Sequence, residues 1–214
     1  MYLTTSNYTD TAVGYVTSTN YNPSQVIEYV AQLDGLIKYW KLSGPIIAPV
    51  SEDFKASFYI NGVNDSFEGL FSSPDPQSWL RLLPSNNSVN LQGQLGAGYY
   101  QGVPFTELNL RDGVTRKLSV ERVSGRMRFV IDDTFIFNSG TLTAAFSIET
   151  LAKFGSDYFG GFLYEFEFEL NGILTNKIPL TNKDQGATQL ATVGTINATM
   201  IGYTGNEWVD RSTL

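Results

Sequence analysis

The chain has 214 residues, 14 Lys and Arg against 21 Asp and Glu for a net charge of −7, and neither Cys nor His. That excludes zinc sites of the usual kind, iron–sulfur clusters, thiol nucleophiles and Ser–His–Asp triads. Charged residues at 16%, aromatics at 14% and 20 Gly describe a β-forming chain long enough for one domain, and the acidic balance disfavours a large phosphate-binding surface.

Residues 1–21 are mostly Thr, Ser, Asn and Tyr, too polar for a core, and are expected to form an extended arm before a single domain at 22–214. Met1-Tyr2-Leu3 opens without a basic leader or an apolar stretch, so no signal peptide is expected. No run approaches the roughly 18 apolar residues of a membrane span. Sequons at Asn7, Asn64, Asn86 and Asn197 are given no weight in a chain so rich in Asn, Ser and Thr. Asn22 suits an N-cap, Pro23 a first helical position and Gln25 a capping box. With Val26, Ile27, Tyr29, Val30 and Leu33 at helical spacing and Gly35 as C-cap, they predict a short helix over about 23–34.

Beyond Gly35 the period falls to 2. Strands are predicted at 36–42, 54–61, 66–72, 78–83, 88–95, 115–123, 126–132, 134–138, 142–148, 162–170 and 195–203. Ser124-Gly125 reads as a two-residue hairpin, and Asp132-Asp133 as another turn. Gly93, Gly96 and Gly98 read as flexible turns, 149–155 as one helical turn, and 181–194 as a polar surface connection. Short strands between Gly, Pro, Asn and Asp clusters predict a mainly β, antiparallel sandwich rather than βαβ units.

Three segments carry a family resemblance: Leu110–Asp133, Gly160–Leu170 and Tyr39–Ile46. They resemble the central hairpin, the late strand and the opening strand with its turn of the concanavalin A-like, laminin-G-type jelly roll. The likeness covers roughly 36–175. The chain departs from that pattern at Asp132-Asp133-Thr134, where the family has an Asp-Gly turn, so no calcium site is carried over. The polar arm, few charges and a tract ending in Gly205–Asp210 are also similar in style to accessory virion proteins of tailed bacteriophages. These resemblances imply a non-enzymatic virion structural protein, a capsid decoration or a tail or adhesion component, assembled in the host cytoplasm. Its expected partners are other virion proteins and further copies of itself, with a host-surface glycan as a candidate ligand, through the arm and the tail at 204–214. The alternative is a carbohydrate-binding module or, behind it, a glycan hydrolase. No cofactor, nucleic acid or membrane insertion is expected.

Glu165, Glu167 and Glu169 are the candidate catalytic carboxylates. Alternate strand residues lie about 6.5–7 Å apart, within the roughly 6.5–9.5 Å of inverting glycosidases. Their alternation with Phe162, Tyr164, Phe166, Phe168 and Leu170 reads better as the solvated side of a half-buried strand, so no catalytic residue is assigned. Glu52-Asp53, Asp132-Asp133 and Asp112 are turn carboxylates without an EF-hand spacing, and no metal site is assigned. Arg111, Arg116, Lys117, Arg122, Arg126 and Arg128 form a basic stretch that fits either an acidic-ligand patch or a solvated hairpin. Tyr99, Tyr100, Tyr158, Phe159 and Trp208 stand in or beside expected loops and are the candidate glycan or partner contacts.

Overall fold

The computed structural model describes residues 28–62, 66–74, 77–84, 89–95, 98–105, 110–141 and 144–214. The predicted arm and residues 23–27 of the predicted helix lie outside them. In chain order the strands are β1 (Tyr29–Asp34), β2 (Tyr39–Ala48), β3 (Phe54–Gly62), β4 (Glu68–Pro74), β5 (Gln77–Leu83), β6 (Val89–Leu95), β7 (Gly98–Phe105), β8 (Arg116–Val123) and β9 (Arg126–Ile131). They continue with β10 (Thr134–Thr141), β11 (Phe146–Leu151), β12 (Lys153–Phe154), β13 (Asp157–Tyr158), β14 (Gly160–Leu170), β15 (Ile173–Ile178), β16 (Thr188–Gln189), β17 (Ala198–Ile201) and β18 (Trp208–Asp210). Among the described residues the only helical pieces are single 3-10 turns at Lys183–Gln185 and Arg211–Thr213.

Two antiparallel sheets form a sandwich. The first runs β10-β9-β8-β3-β14-β1-β18, with β15 also paired to β14; the second runs β16-β17-β2-β11-β4-β5-β6-β7. Their inner faces enclose one core. Phe58, Ile60, Leu118, Val120, Phe166 and Phe168 of the first sheet and Trp40, Leu42, Leu80, Leu82, Phe146 and Ile148 of the second are all buried. Phe54 stacks on Phe146 at 4.2 Å between ring centres, tying the sheets together at one end.

The helix expected to end near residue 34 is corrected: Tyr29–Asp34 is strand β1. Its apolar residues fit a helix period locally, but β14 and β18 offer backbone partners on both sides. Pairing there buries Val30, Ala31 and Leu33 in the sandwich. Gly35, at φ 71°, belongs to a turn instead of a helix cap. The Asp34 carboxylate accepts the N–H groups of Leu36, Ile37 and Lys38 in that turn, which delays the next strand to Tyr39.

The turn expected within Tyr39–Ile46 is absent, because β2 continues to Ala48 with an irregularity where its β11 partner jumps from Ile46 to Lys41. The helical turn expected at 149–155 is the end of β11 followed by the β12–β13 hairpin. The flexible turns read at Gly93 and Gly98 are strand positions, in β6 and at the start of β7. Both two-residue turns form as predicted. Ser124 and Gly125 have φ of 52° and 71°, Asp132 and Asp133 49° and 58°, which is the pair of positive values that right-handed strand twist requires. The Asp132 carboxylate accepts the Lys117 N–H at 2.8 Å and the Asp132 N–H donates to the Lys117 carbonyl at 2.9 Å, a reciprocal pair that ties this turn back to β8.

Strand β14 holds a β-bulge. Its register against β3 shifts between Tyr164 and Glu167, with Glu165 at φ 51°. The extra residue reverses the parity. Phe166 and Phe168 point inward, whereas Tyr164 lies on the outer face, stacked on Tyr59 at 5.4 Å.

Candidate functional site

The outer face of the second sheet carries a line of residues built by register alone. Thr188 pairs with Thr199, Thr199 with Lys41, Lys41 with Thr150, Thr150 with Ser72, and Ser72 with Trp79. The register continues to Gln94 and Tyr99. Paired residues in adjacent strands share a face, so one position from each strand lies along a single row about 4.8 Å apart. The row is polar over much of its length. Thr188 and Thr199 share a hydroxyl hydrogen bond at 3.1 Å, Lys41 donates to Glu149 at 3.0 Å, and Ser72 and Thr150 share one at 2.7 Å.

The β12–β13 hairpin stands on this face. It packs so closely over β4 that a Cβ on Gly69 would fall 2.1 Å from the Phe154 nitrogen. On one flank Phe154 lies flat on Trp79, with ring centres 4.2 Å apart and planes 12° apart. The Arg81 guanidinium sits over Phe67 at 4.7 Å, near Trp79 and Phe154, and pairs with Asp157 at 2.8 Å. Beside this stack is an open cleft of about 470 Å³ lined by Ser72, Ser73, Pro74, Trp79, Phe154 and Gly155. On the other flank the Lys153 ammonium lies 4.2 Å from the Tyr39 ring centre and 5.3 Å from that of Tyr158. The cleft therefore combines an aromatic wall with a hydroxyl-bearing floor, which suits contact with a polyol better than proton transfer.

The predicted contact residues are scattered by the fold. Tyr158 belongs to this hairpin, half-buried against Tyr39. Tyr99 and Tyr100 are positions of β7, Tyr99 at the far end of the row, and their side chains lie outside the described residues. Phe159 is fully buried, its ring filling the space that Gly62 leaves open, and presents nothing to a ligand. Trp208 is on β18, at the edge of the other sheet, and its indole N–H donates to the Tyr203 hydroxyl at 3.1 Å. The residues that sequence reasoning passed over are Trp79, Arg81, Lys153 and Phe154. One signal was present: Trp79 and Arg81 alternate with buried Leu80 and Leu82, placing an aromatic on the polar side of a strand.

The remaining constellations resolve into structural contacts. Glu165 pairs with Arg211 at 3.0 Å, and Glu167 with Lys177 at 2.7 Å and Lys117 at 4.0 Å. The bulge puts Glu165 out of the simple alternation with Glu167. The basic stretch is dispersed rather than gathered into a patch. Arg111 pairs with fully buried Glu68, Arg116 with Asp112 and Asp132, and Arg122 is buried at one end of the core. Hydrogen bonds from Val114 and Arg116 outweigh desolvation at Asp112 and hold its carboxyl below the usual range. Glu52 accepts from Asn171 and Asp53 from the Ser124 N–H. No three His, Asp, Glu or Cys side chains among the described residues converge to hold a metal.

No family model matches the chain, and no curated protein matches it in sequence. Solved structures do match in fold. A Bacteroides ovatus protein for which carbohydrate binding has been suggested superposes with TM-score 0.54 at 14% identity, covering 79% of this chain and 59% of that one. Domains LG4-5 of the mouse laminin alpha1 chain give 0.47 at 16% identity over 87% of this chain and 50% of that one. Domain 4 of an extracellular arabinanase from Geobacillus stearothermophilus, solved with arabinotriose, gives 0.45 at 20% identity over 68% and 72%. The chain thus spans about three fifths of the Bacteroides protein, and the likeness is one of fold, an antiparallel β-sandwich.

Proposed function

We propose that this protein is a non-enzymatic glycan-binding domain whose site is the hairpin-walled cleft on the outer face of the second sheet. The observation that carries the reading is the Phe154–Trp79 stack beside the bonded hydroxyls of Ser72 and Thr150. An aromatic ring buries the apolar C–H face of a sugar while hydroxyls on the floor exchange hydrogen bonds with its rim. The row running from the cleft towards Lys41 gives a chain of sugars a path across the strands. The Bacteroides ovatus protein of the same fold, with its suggested carbohydrate binding, is consistent with this reading. Adhesion of a virion to a host-surface glycan is one setting in which such a site would act.

The test is calorimetric titration and affinity electrophoresis against a broad glycan panel, with calcium and with chelator. Saturable binding that falls about tenfold or more in Phe154→Ala, with the thermal midpoint retained, is the expected result. Binding unaffected by Phe154→Ala and Trp79→Ala would move the site elsewhere. A panel without any binding would overturn the function.

A further inference from the structure

Resting on the proposed glycan site, with the cleft at one end and the row towards Lys41 beyond it, we infer that its ligand is an anionic glycan, read by Lys153 on the hairpin's other flank. Lys41 is neutralised by Glu149 and Arg81 by Asp157 on the two sides of the hairpin. Lys153 is different. Among the described residues no carboxylate lies within 4.0 Å of its ammonium, which is held instead over the Tyr39 and Tyr158 rings. The rings steady the cation through their negative faces without supplying it a counter-ion. The Lys153 carbonyl is also within reach of the Thr150 hydroxyl at 3.4 Å, so the cation's backbone is pinned to the row that the sugar chain would follow.

This placement is local and opposes the whole molecule, whose net charge of −7 repels polyanions at long range. A ligand carboxylate or sulfate ester that reached Lys153 would complete a charge-assisted hydrogen bond in a partly desolvated setting. A neutral sugar hydroxyl can accept a hydrogen bond from the ammonium but leaves its charge uncompensated. The shared chemistry is a fixed anion on a sugar ring, and uronates and sulfated sugars both supply it.

The experiment compares matched polysaccharides by titration: polygalacturonate with its full methyl ester, and chondroitin sulfate with desulfated chondroitin. We expect the wild type to bind at least one acidic member about tenfold or more tighter than its matched, less anionic form. The two pairs tell a uronate from a sulfate. Added salt should weaken the acidic complex and leave the neutral one little changed. Lys153→Gln should lose most of the preference and Lys153→Arg should keep it. Equal affinity for both members of each pair, a preference that survives in Lys153→Gln, or binding confined to neutral glycans would overturn this inference while leaving the glycan site standing. Failure to bind any member of these pairs or of the broad panel would overturn both.

Discussion

At the scale of single residues, the sandwich is pinned by charges that strand parity carries inside. Arg122 shares the inward parity of Leu118 and Val120, and no part of its side chain reaches solvent. Its guanidinium donates to the carbonyls of Glu52, Pro49 and Ala144 and lies 5.2 Å from the Phe54 ring centre. Burial pushes its pKa below the usual range and nearby Asp53 and Glu52 oppose this, so it remains a cation tying three loop carbonyls to the core. Arg122→Met would leave those carbonyls unpaired in a site closed to water. We expect a loss of about 3 kcal/mol or more in urea unfolding, a larger effect than any exposed Arg of the same hairpin would give.

Glu207 plays the matching part at the tail. Desolvation raises its pKa, but hydrogen bonds from the Thr204 hydroxyl and from the Thr204 and Gly205 N–H groups outweigh it and hold the carboxyl below its usual value. A depressed carboxyl stabilises the fold fully above its unfolded pKa of about 4.3, and that contribution is lost as pH falls through the lower folded value. Stability measured by urea midpoint should therefore fall below about pH 4.5 in the wild type. In Glu207→Gln the protein should be weaker at neutral pH and its acid decline shallower. An unchanged acid limb would show that Glu207 is not what titrates there.

At the scale of elements, the hairpin and the bulge decide what the faces present. Gly69 lets the hairpin sit directly on β4, so Gly69→Ala must push Phe154 away from Trp79. Two readouts should move together. Acrylamide should quench Trp fluorescence more readily as the indole is uncovered, and glycan affinity should drop about as far as in Phe154→Ala. Stability should fall by about 1–3 kcal/mol, the usual cost of forcing an atom into filled space. The bulge at Glu165 was not legible in the alternation of Phe and Glu, which reads as one unbroken strand. It becomes visible only when β14 is laid against β3, because the inserted residue is defined by its partner. The same holds for β1, whose apolar spacing suits a helix until β14 and β18 claim its backbone.

At the scale of the whole molecule, the chain's last strand closes the first sheet. Val209 and Trp208 pair with Val30 and Ala31, and Arg211 lies over Tyr164 while binding Glu28 and Glu165. Within the tail at 204–214, expected to contact neighbours, Trp208–Asp210 forms an edge strand of the sandwich, paired with β1. Removing residues 208–214 would expose the β1 edge and apolar surface beneath it. We expect a thermal midpoint lower by several degrees and time-dependent light scattering, checked by differential scanning and static scattering at equal concentration. A truncated chain as stable and as monodisperse as the wild type would show that β18 adds no cover to the sandwich.

The sequence by itself determined the mainly β class, the positions of strands such as Phe54–Gly62 and Arg116–Val123, and both two-residue turns. Those features are local: period 2 marks a half-buried strand, and Gly or Asp marks a positive φ. Tertiary structure alone decided that Tyr29–Asp34 is a strand and that Arg122 is interior. It also brought Phe154 onto Trp79, 75 positions away in the chain. Strand pairing, bulges and ring stacking join residues remote in sequence, so their energies depend on register between segments rather than on the order of residues within one. Apart from the alternation of Trp79 and Arg81 with buried Leu80 and Leu82, the candidate site belongs to that second kind of information, which is why loop aromatics such as Phe159 misled and a strand tryptophan carried the cleft.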